Sequence, residues 1–119
     1  MHWTDITERQ RGGVVIFGLK GQMTLSGDES QRLLLRIREA VQRGCRSVVL
    51  DLTHVSYVDS TGIGEIAGAY ARVAREGGRL ALFGVAPRIQ ELLDTTNIAS
   101  IIVSFPDETT AVLAVTAAA

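Results

Sequence analysis

The sequence predicts an α/β domain: an N-terminal antiparallel hairpin, then strand–helix units that build a mixed, mostly parallel sheet with helices packed against it. Short runs rich in Val, Ile and Leu recur at 14–19, 47–52, 80–83 and 101–104. The stretches between them carry apolar residues at helical spacing and are long enough for crossovers. Strands joined in that way cannot be hairpin neighbours and must run parallel, with right-handed connections. At 119 residues, the chain reads as one domain with one core.

Val14-Val15-Ile16-Phe17-Gly18-Leu19 is β-branched and aromatic-rich, and Gly12-Gly13 before it supplies turn geometry for a hairpin with the weaker stretch His2 to Glu8. From Asp28 to Arg43, residues Leu33, Leu34, Ile37, Ala40 and Val41 fall on one helical face, and Gly44 ends the helix. Ser47 to Leu52 suits a strand buried on both faces, and Thr53 to Asp59 reads as a loop. A second helix follows, with Ile63, Ile66, Ala67, Tyr70, Val73 and Ala74 on one side and Gly77-Gly78 as its stop. Leu80 to Phe83 is the next strand. Pro87 suits the first turn of a helix running to about Asp94, Ile101 to Ser104 is the last strand, and a final helix starts at Asp107.

Composition narrows the function. Apolar residues make up 46% and charged residues 21%, so the chain folds rather than staying open. Twelve Lys plus Arg against thirteen Asp plus Glu give a net charge of -1, with no block of like charges, so a footprint for nucleic acid is missing. The longest apolar stretch, Ala111 to Ala119 interrupted by Thr116, is far below the roughly 20 residues of a membrane span. Met1 to Gln10 carries Asp5, Glu8 and Arg9 instead of a signal peptide's basic start and apolar run, so a cytoplasmic protein is expected. Cys45 has no partner for an internal disulfide, and no Cys/His cluster has metal-ligand spacing; neither metal nor cofactor is expected. Cys45 reads as a small apolar filler, Trp3 as cover for a sheet edge. Eleven arginines against one lysine read as genomic base composition.

In an open parallel sheet, the functional crevice lies at the carboxyl ends of the strands, where helix N-termini also point. There the sequence reads Val55-Ser56-Tyr57-Val58-Asp59-Ser60-Thr61-Gly62-Ile63-Gly64-Glu65. Asp59-Ser60 satisfies a helix N-cap. Gly62 and Gly64 go beyond that, since each glycine inside a helix costs about 1 kcal/mol relative to Ala. Close packing on the sheet accounts for them equally well as a surface flattened for another protein's backbone.

Asp59-Ser60-Thr61-Gly62-Ile63-Gly64, preceded by Leu50-Asp51-Leu52 and a short segment, resembles the phosphorylation segment of STAS domains, the sulfate transporter and anti-sigma-factor antagonist family. Leu19-Lys20-Gly21, Gly77-Gly78 before Leu80 to Phe83, and Ile101 to Ala114 follow the family's order, so the resemblance covers essentially the whole chain. It implies a STAS-like fold. It also implies a phosphorylation-switched antagonist that binds an anti-sigma factor serine kinase when unmodified, frees a sigma factor, and is restored by a phosphoserine phosphatase. Ser60 takes the phosphoacceptor's place, with Thr61 as the alternative acceptor. Many antagonists carry an aspartate after the Gly21 turn; Thr24 stands there. Ser26, Asp28 or Glu29 could substitute, though Ser26 and Asp28 read more simply as an N-cap for the first helix.

The partner surface is expected on Tyr57 and Asp59, the first turn Thr61, Gly62, Ile63 and Gly64, and an outward stripe Thr61, Glu65, Ala69 and Arg72, with Thr24 beside it. The second family reading is a docking subunit of a membrane transporter complex; Asp59-Ser60 favours the switch. The sequence leaves self-association open and shows no polar constellation defining a small ligand. A two-component receiver needs an acidic cluster and a late lysine, whereas the single lysine is Lys20. A serine hydrolase needs a nucleophile elbow and a His base, but residues 58–62 read Val-Asp-Ser-Thr-Gly, and His54 reads as a solvated surface histidine. A P-loop string is absent. Ser60 is therefore expected to be a substrate hydroxyl for another enzyme, and the chain itself not an enzyme.

Overall fold

Gly12 and Gly13 take φ values of 58° and 85°, the left-handed pair that closes a two-residue hairpin with the twist of its strands. In the computed structural model, which describes residues 5–23 and 32–116, they join β1 (Asp5–Arg11) to β2 (Val14–Met23), with Arg11 opposite Val14 and Asp5 opposite Lys20. β1 thus runs on to Arg11, three residues beyond the expected end at Glu8, because the two-residue turn sets the register. At Gly18 a Cβ would stand 2.6 Å from the Oγ1 of Thr7, so the Thr7 hydroxyl occupies the space a side chain there would need. Trp3, Thr24, Ser26, Asp28 and Glu29 fall outside the described residues.

The remaining elements are α1 (Arg32–Gln42), β3 (Ser47–Val58), α2 (Ser60–Arg75), β4 (Arg79–Phe83), α3 (Pro87–Thr95), a 3-10 turn at Ile98–Ser100, β5 (Ser104–Phe105) and α4 (Glu108–Thr116). The five strands form one sheet in the order β1-β2-β3-β4-β5, antiparallel only between β1 and β2. The mixed, mostly parallel α/β sheet expected from the sequence is the one observed. α1 and α2 end alike. Gly44 N–H donates to the Val41 carbonyl and Cys45 N–H to that of Ala40, as Gly77 and Gly78 do to Ala74 and Val73; Gly44 and Gly77 take the left-handed φ such a cap needs.

Two clusters flank the sheet. Val15, Phe17, Leu19, Val48, Leu50, Leu52, Leu80 and Leu82 meet α1, α2 and α3 on one face, with Cys45 packed at the margin. Val14, Ile16, Val49, Ala81 and Phe83 meet Ala111 and Val115 of α4 on the other.

Two expected boundaries move. β3 does not stop at Leu52; it continues through the stretch expected to be a loop, because β2 runs beside it as far as Met23 opposite Val58. Register shifts in that pairing leave Leu52, Val55 and Val58 buried and the residues between them exposed, a spacing that does not read as a strand. The last strand is Ser104–Phe105 instead of Ile101 to Ser104. Asn97, with φ 63°, starts the tight turn, and of the Ile101–Val103 run only Ile102 is buried.

α4 is fastened at its start. Asp107 accepts from the Thr110 N–H at 2.8 Å, which holds its carboxyl below the usual range. Glu108 binds Arg9 and also Arg11, at 2.9 Å, tying α4 to β1. The hydrogen bond from Arg9, then that from Arg11, hold the Glu108 carboxyl down at about 2. Glu108→Gln should cost about 0.5–1.5 kcal/mol at pH 7, as expected for a partly screened two-arginine pair. A depressed carboxylate stabilises fully above its unfolded value, about 4.3, so the difference should shrink as pH falls from there toward about 2. Urea melts of the two forms at pH 7 and pH 3 check this.

Candidate functional site

Where β3 ends, Asp59 keeps an extended backbone (φ -107°, ψ -170°) and turns the chain into α2. Its carboxylate accepts from the N–H groups of Thr61 at 2.9 Å and Gly62 at 3.1 Å, and its carbonyl accepts from Ile63 at 3.0 Å. That capping satisfies three of the helix's first donors. Ser60, the first helical residue, is exposed. A hydroxyl on a helix start, fixed by a cap it does not itself supply, is presented at the positive end of the helix dipole.

Ser60 opens onto a groove of about 650 Å³ between α2 and α3. Tyr57 and Asp59 stand on its side of the groove, and Arg88, Glu91 and Thr95 of α3 on the other. Tyr57 is 51% exposed, an uncovered aromatic beside the hydroxyl. The α3 residues escaped the sequence reading, which recognised the helix but not its neighbour. Strand order supplies that: with β3 and β4 adjacent and both crossovers on one face, α2 and α3 start at the same end of the sheet.

The outward stripe expected at Thr61, Glu65, Ala69 and Arg72 needs correction. Ala69 has no exposed surface and Glu65 only 5%; Thr61 and Arg72 are half-buried. The reason is α1. Gly68 falls in the same helical column as Glu65 and Arg72, and a Cβ placed there would meet Leu34 of α1 at 3.2 Å, so this flank lies against a second helix. Gly62 and Ile63 are buried too. The exposed line along α2 is Ser60, Gly64, Ala71 and Arg75, and at Gly64 a Cβ would meet nothing within 4 Å.

Glu65 is the one buried charged residue among those described. Neither carboxylate oxygen has a hydrogen-bond partner among the described residues. Burial, and then the charge of Asp59, push its carboxyl up to about 8, so it is held largely neutral near pH 7. His54 is exposed on β3 and does not line the groove. Among the described residues, no group of three or more His, Cys, Asp or Glu could hold a metal ion, and no helix is long and apolar enough to cross a membrane.

The family model for the STAS domain matches residues 5–111. The chain is 42% identical over 102 residues to an anti-sigma-B factor antagonist of Listeria monocytogenes, covering 82% of this chain and 83% of that protein. It is 33% identical over 100 residues to an anti-sigma F factor antagonist of Paenibacillus polymyxa, covering 83% of this chain and 84% of that one. The fold is similar to that of the Bacillus cell fate determinant SpoIIAA in its phosphorylated form, with a TM-score of 0.68 at 16% identity over 89% of this chain and 96% of the other.

Two outcomes follow from Glu65 and Gly64. A carboxyl raised on folding binds protons more tightly in the native state, so stability should fall as pH rises from the unfolded value, near 4.3, through about 8. The fall should be on the order of 2–4 kcal/mol between pH 5 and pH 8, and Glu65→Met should flatten it; denaturant titrations at both pH values read it. Gly64→Ala, entering open space, should stabilise the domain by about 0.5–1 kcal/mol, read as a higher melting temperature.

Proposed function

Since the chain belongs to the STAS-domain family, we propose that it is an anti-sigma-factor antagonist of the cell interior, a regulatory protein and not an enzyme, switched by phosphorylation of Ser60. The observation that carries the reading is the exposed Ser60 hydroxyl on a helix start capped by Asp59, opening onto the groove with Arg88 and Glu91. The relatives' names support an anti-sigma factor as the partner; its action as the serine kinase, and a phosphatase reversing the modification, are part of the proposal.

The switch works by charge. A phosphoserine adds about -1.5 to -2 charge at pH 7, and at a helix N-terminus the dipole tolerates it. The Ser60 N–H has no protein partner among the described residues, so the phosphate meets a free donor. The fold survives modification. Docking of a partner instead strips water from the phosphate beside Asp59. Two unit charges about 4 Å apart repel by up to roughly 4 kcal/mol at an effective dielectric of 20. A net penalty of about 2–4 kcal/mol lowers affinity about 30-fold to 1,000-fold.

Co-expression with the anti-sigma factor should add one phosphate by intact mass, and Ser60→Ala should abolish it. Calorimetric titration should show weaker binding by the phosphorylated form, and a smaller loss for Ser60→Asp, with melting temperatures nearly unchanged. A phosphate mapped to Thr61 would sink the assignment of Ser60; unchanged partner affinity would sink the switch. Gly64→Leu, pointing into open space, should leave the fold intact and weaken partner binding about tenfold or more.

A further inference from the structure

Among the described residues, five arginines are seen to be engaged. Arg9 and Arg11 bind Glu108, Arg36 and Arg43 bind Glu8, and Arg46 reaches Glu76 and two carbonyls. The side chains of Arg38, Arg72 and Arg75 make no hydrogen bond or ion pair with any described residue, yet all three line one open groove of about 280 Å³ between α1 and α2, with Leu34, Gly68 and Ala71. We propose that this groove is a binding site for a compact, polyvalent oxyanion of the phosphate class, held by Arg38, Arg72 and Arg75.

The floor is low because residues 68 and 71 carry at most a methyl group, and Gly68 lets the helices close until a Cβ there would stand 3.2 Å from Leu34. Arg72 and Arg75 rise from the last turn of α2, three residues apart and so on neighbouring positions of one face. The negative end of the α2 dipole accounts for cations there. It does not account for Arg38 arriving from the other helix. Three cationic side chains therefore line one groove with no acid among its lining, which favours an anion there. The Nε of Arg72 is shielded from solvent, so an anion in the groove would meet the terminal N–H groups of that side chain. Planar guanidinium forks match the tetrahedral oxygens of a phosphate in pairs, which a lone chloride cannot reproduce. Glu39, the acid next to Arg38 in the chain, pairs with none of the three. The groove lies about 18 Å along α2 from Ser60, at 1.5 Å of rise per residue, so it is a separate site.

Inorganic pyrophosphate is the probe, titrated into the full chain at constant ionic strength set with sodium chloride and followed by amide NMR shifts. Saturable shifts are expected in the second half of α1 and the last two turns of α2, with a dissociation constant on the order of 0.1 mM and weaker binding of orthophosphate. Arg38→Gln and Arg72→Gln should each weaken binding about tenfold or more, while Arg79→Gln, an unpaired arginine outside the groove, should leave it unchanged. Arg38 is exposed, so its variant keeps the fold, and melting curves verify this for all three. Non-saturating shifts, shifts confined to the Ser60 end of α2, or equal loss in Arg79→Gln would overturn the proposal. Vesicles of phosphatidylcholine with phosphatidic acid separate the sources. The protein is expected to stay in solution, and flotation that Arg72→Gln abolishes would assign the groove to a lipid headgroup instead of a soluble phosphate.

Discussion

Val48, Val49 and Leu50 of β3 have no exposed surface. Successive residues of a strand point to opposite faces, so a run of three buried residues demands an apolar layer on both sides of the sheet. That demand arranges the rest. The crossovers put α1, α2 and α3 over the face that holds Val48 and Leu50, and Val49 on the opposite face would meet water without α4. α4 has little amphipathic character to hold it in one orientation; the Glu108 contacts with Arg9 and Arg11 supply the directionality its apolar residues lack. Because β3 is central and long, its far end carries Asp59 beyond the edge of β4, which pairs with it only as far as Asp51. The candidate segment thus stands on the most constrained strand, and still protrudes.

Charge around that segment is organised by burial. Asp59 serves as the cap and stands among the groove's lining, whereas Glu65, one and a half turns on, is shut away and pushed up to about 8. Desolvation is the larger cause and Asp59 the smaller. A second ionised carboxylate so near the helix start would add to the repulsion felt by a phosphate on Ser60. Holding Glu65 neutral leaves Asp59 as the acid that a phosphate on Ser60 would confront on this helix turn. The same burial makes the site's acid–base state sensitive to pH near neutrality, where most carboxylates do not respond.

The hairpin, the helix stops and the Asp59 cap were legible because each depends on local chemistry: paired glycines at 12–13, Gly44 and Gly77 in left-handed conformations, and an acid just before a helical pattern. What was not legible depends on neighbours. The 53–58 segment lacks two-residue alternation since its register shifts against β2. The flank of α2 holding Glu65 and Arg72 looked outward because its residues are polar or small, and only α1 lying against Gly68 turns it inward. Arg88 and Glu91 of α3 belong to the site through strand order, which no local pattern encodes.

The order Asp59-Ser60, and not the presence of the two residue types, makes the hydroxyl available. Both residues are good N-caps, and a serine in the capping position would turn its oxygen inward to accept the N–H groups two and three residues on. Here the aspartate takes that task with a single carboxylate oxygen accepting from both Thr61 and Gly62. Ser60 is thereby displaced one position into the helix, where its side chain has no capping role and its exposure is high. A carboxylate at the cap also opposes the dipole more strongly than a hydroxyl does, so the helix start is stable before any phosphate arrives. A phosphate placed on Ser60 would therefore not have to build the helix terminus. Its whole electrostatic effect would be left to act on whatever approaches the groove, which is the condition for a switch that changes binding and leaves the fold alone.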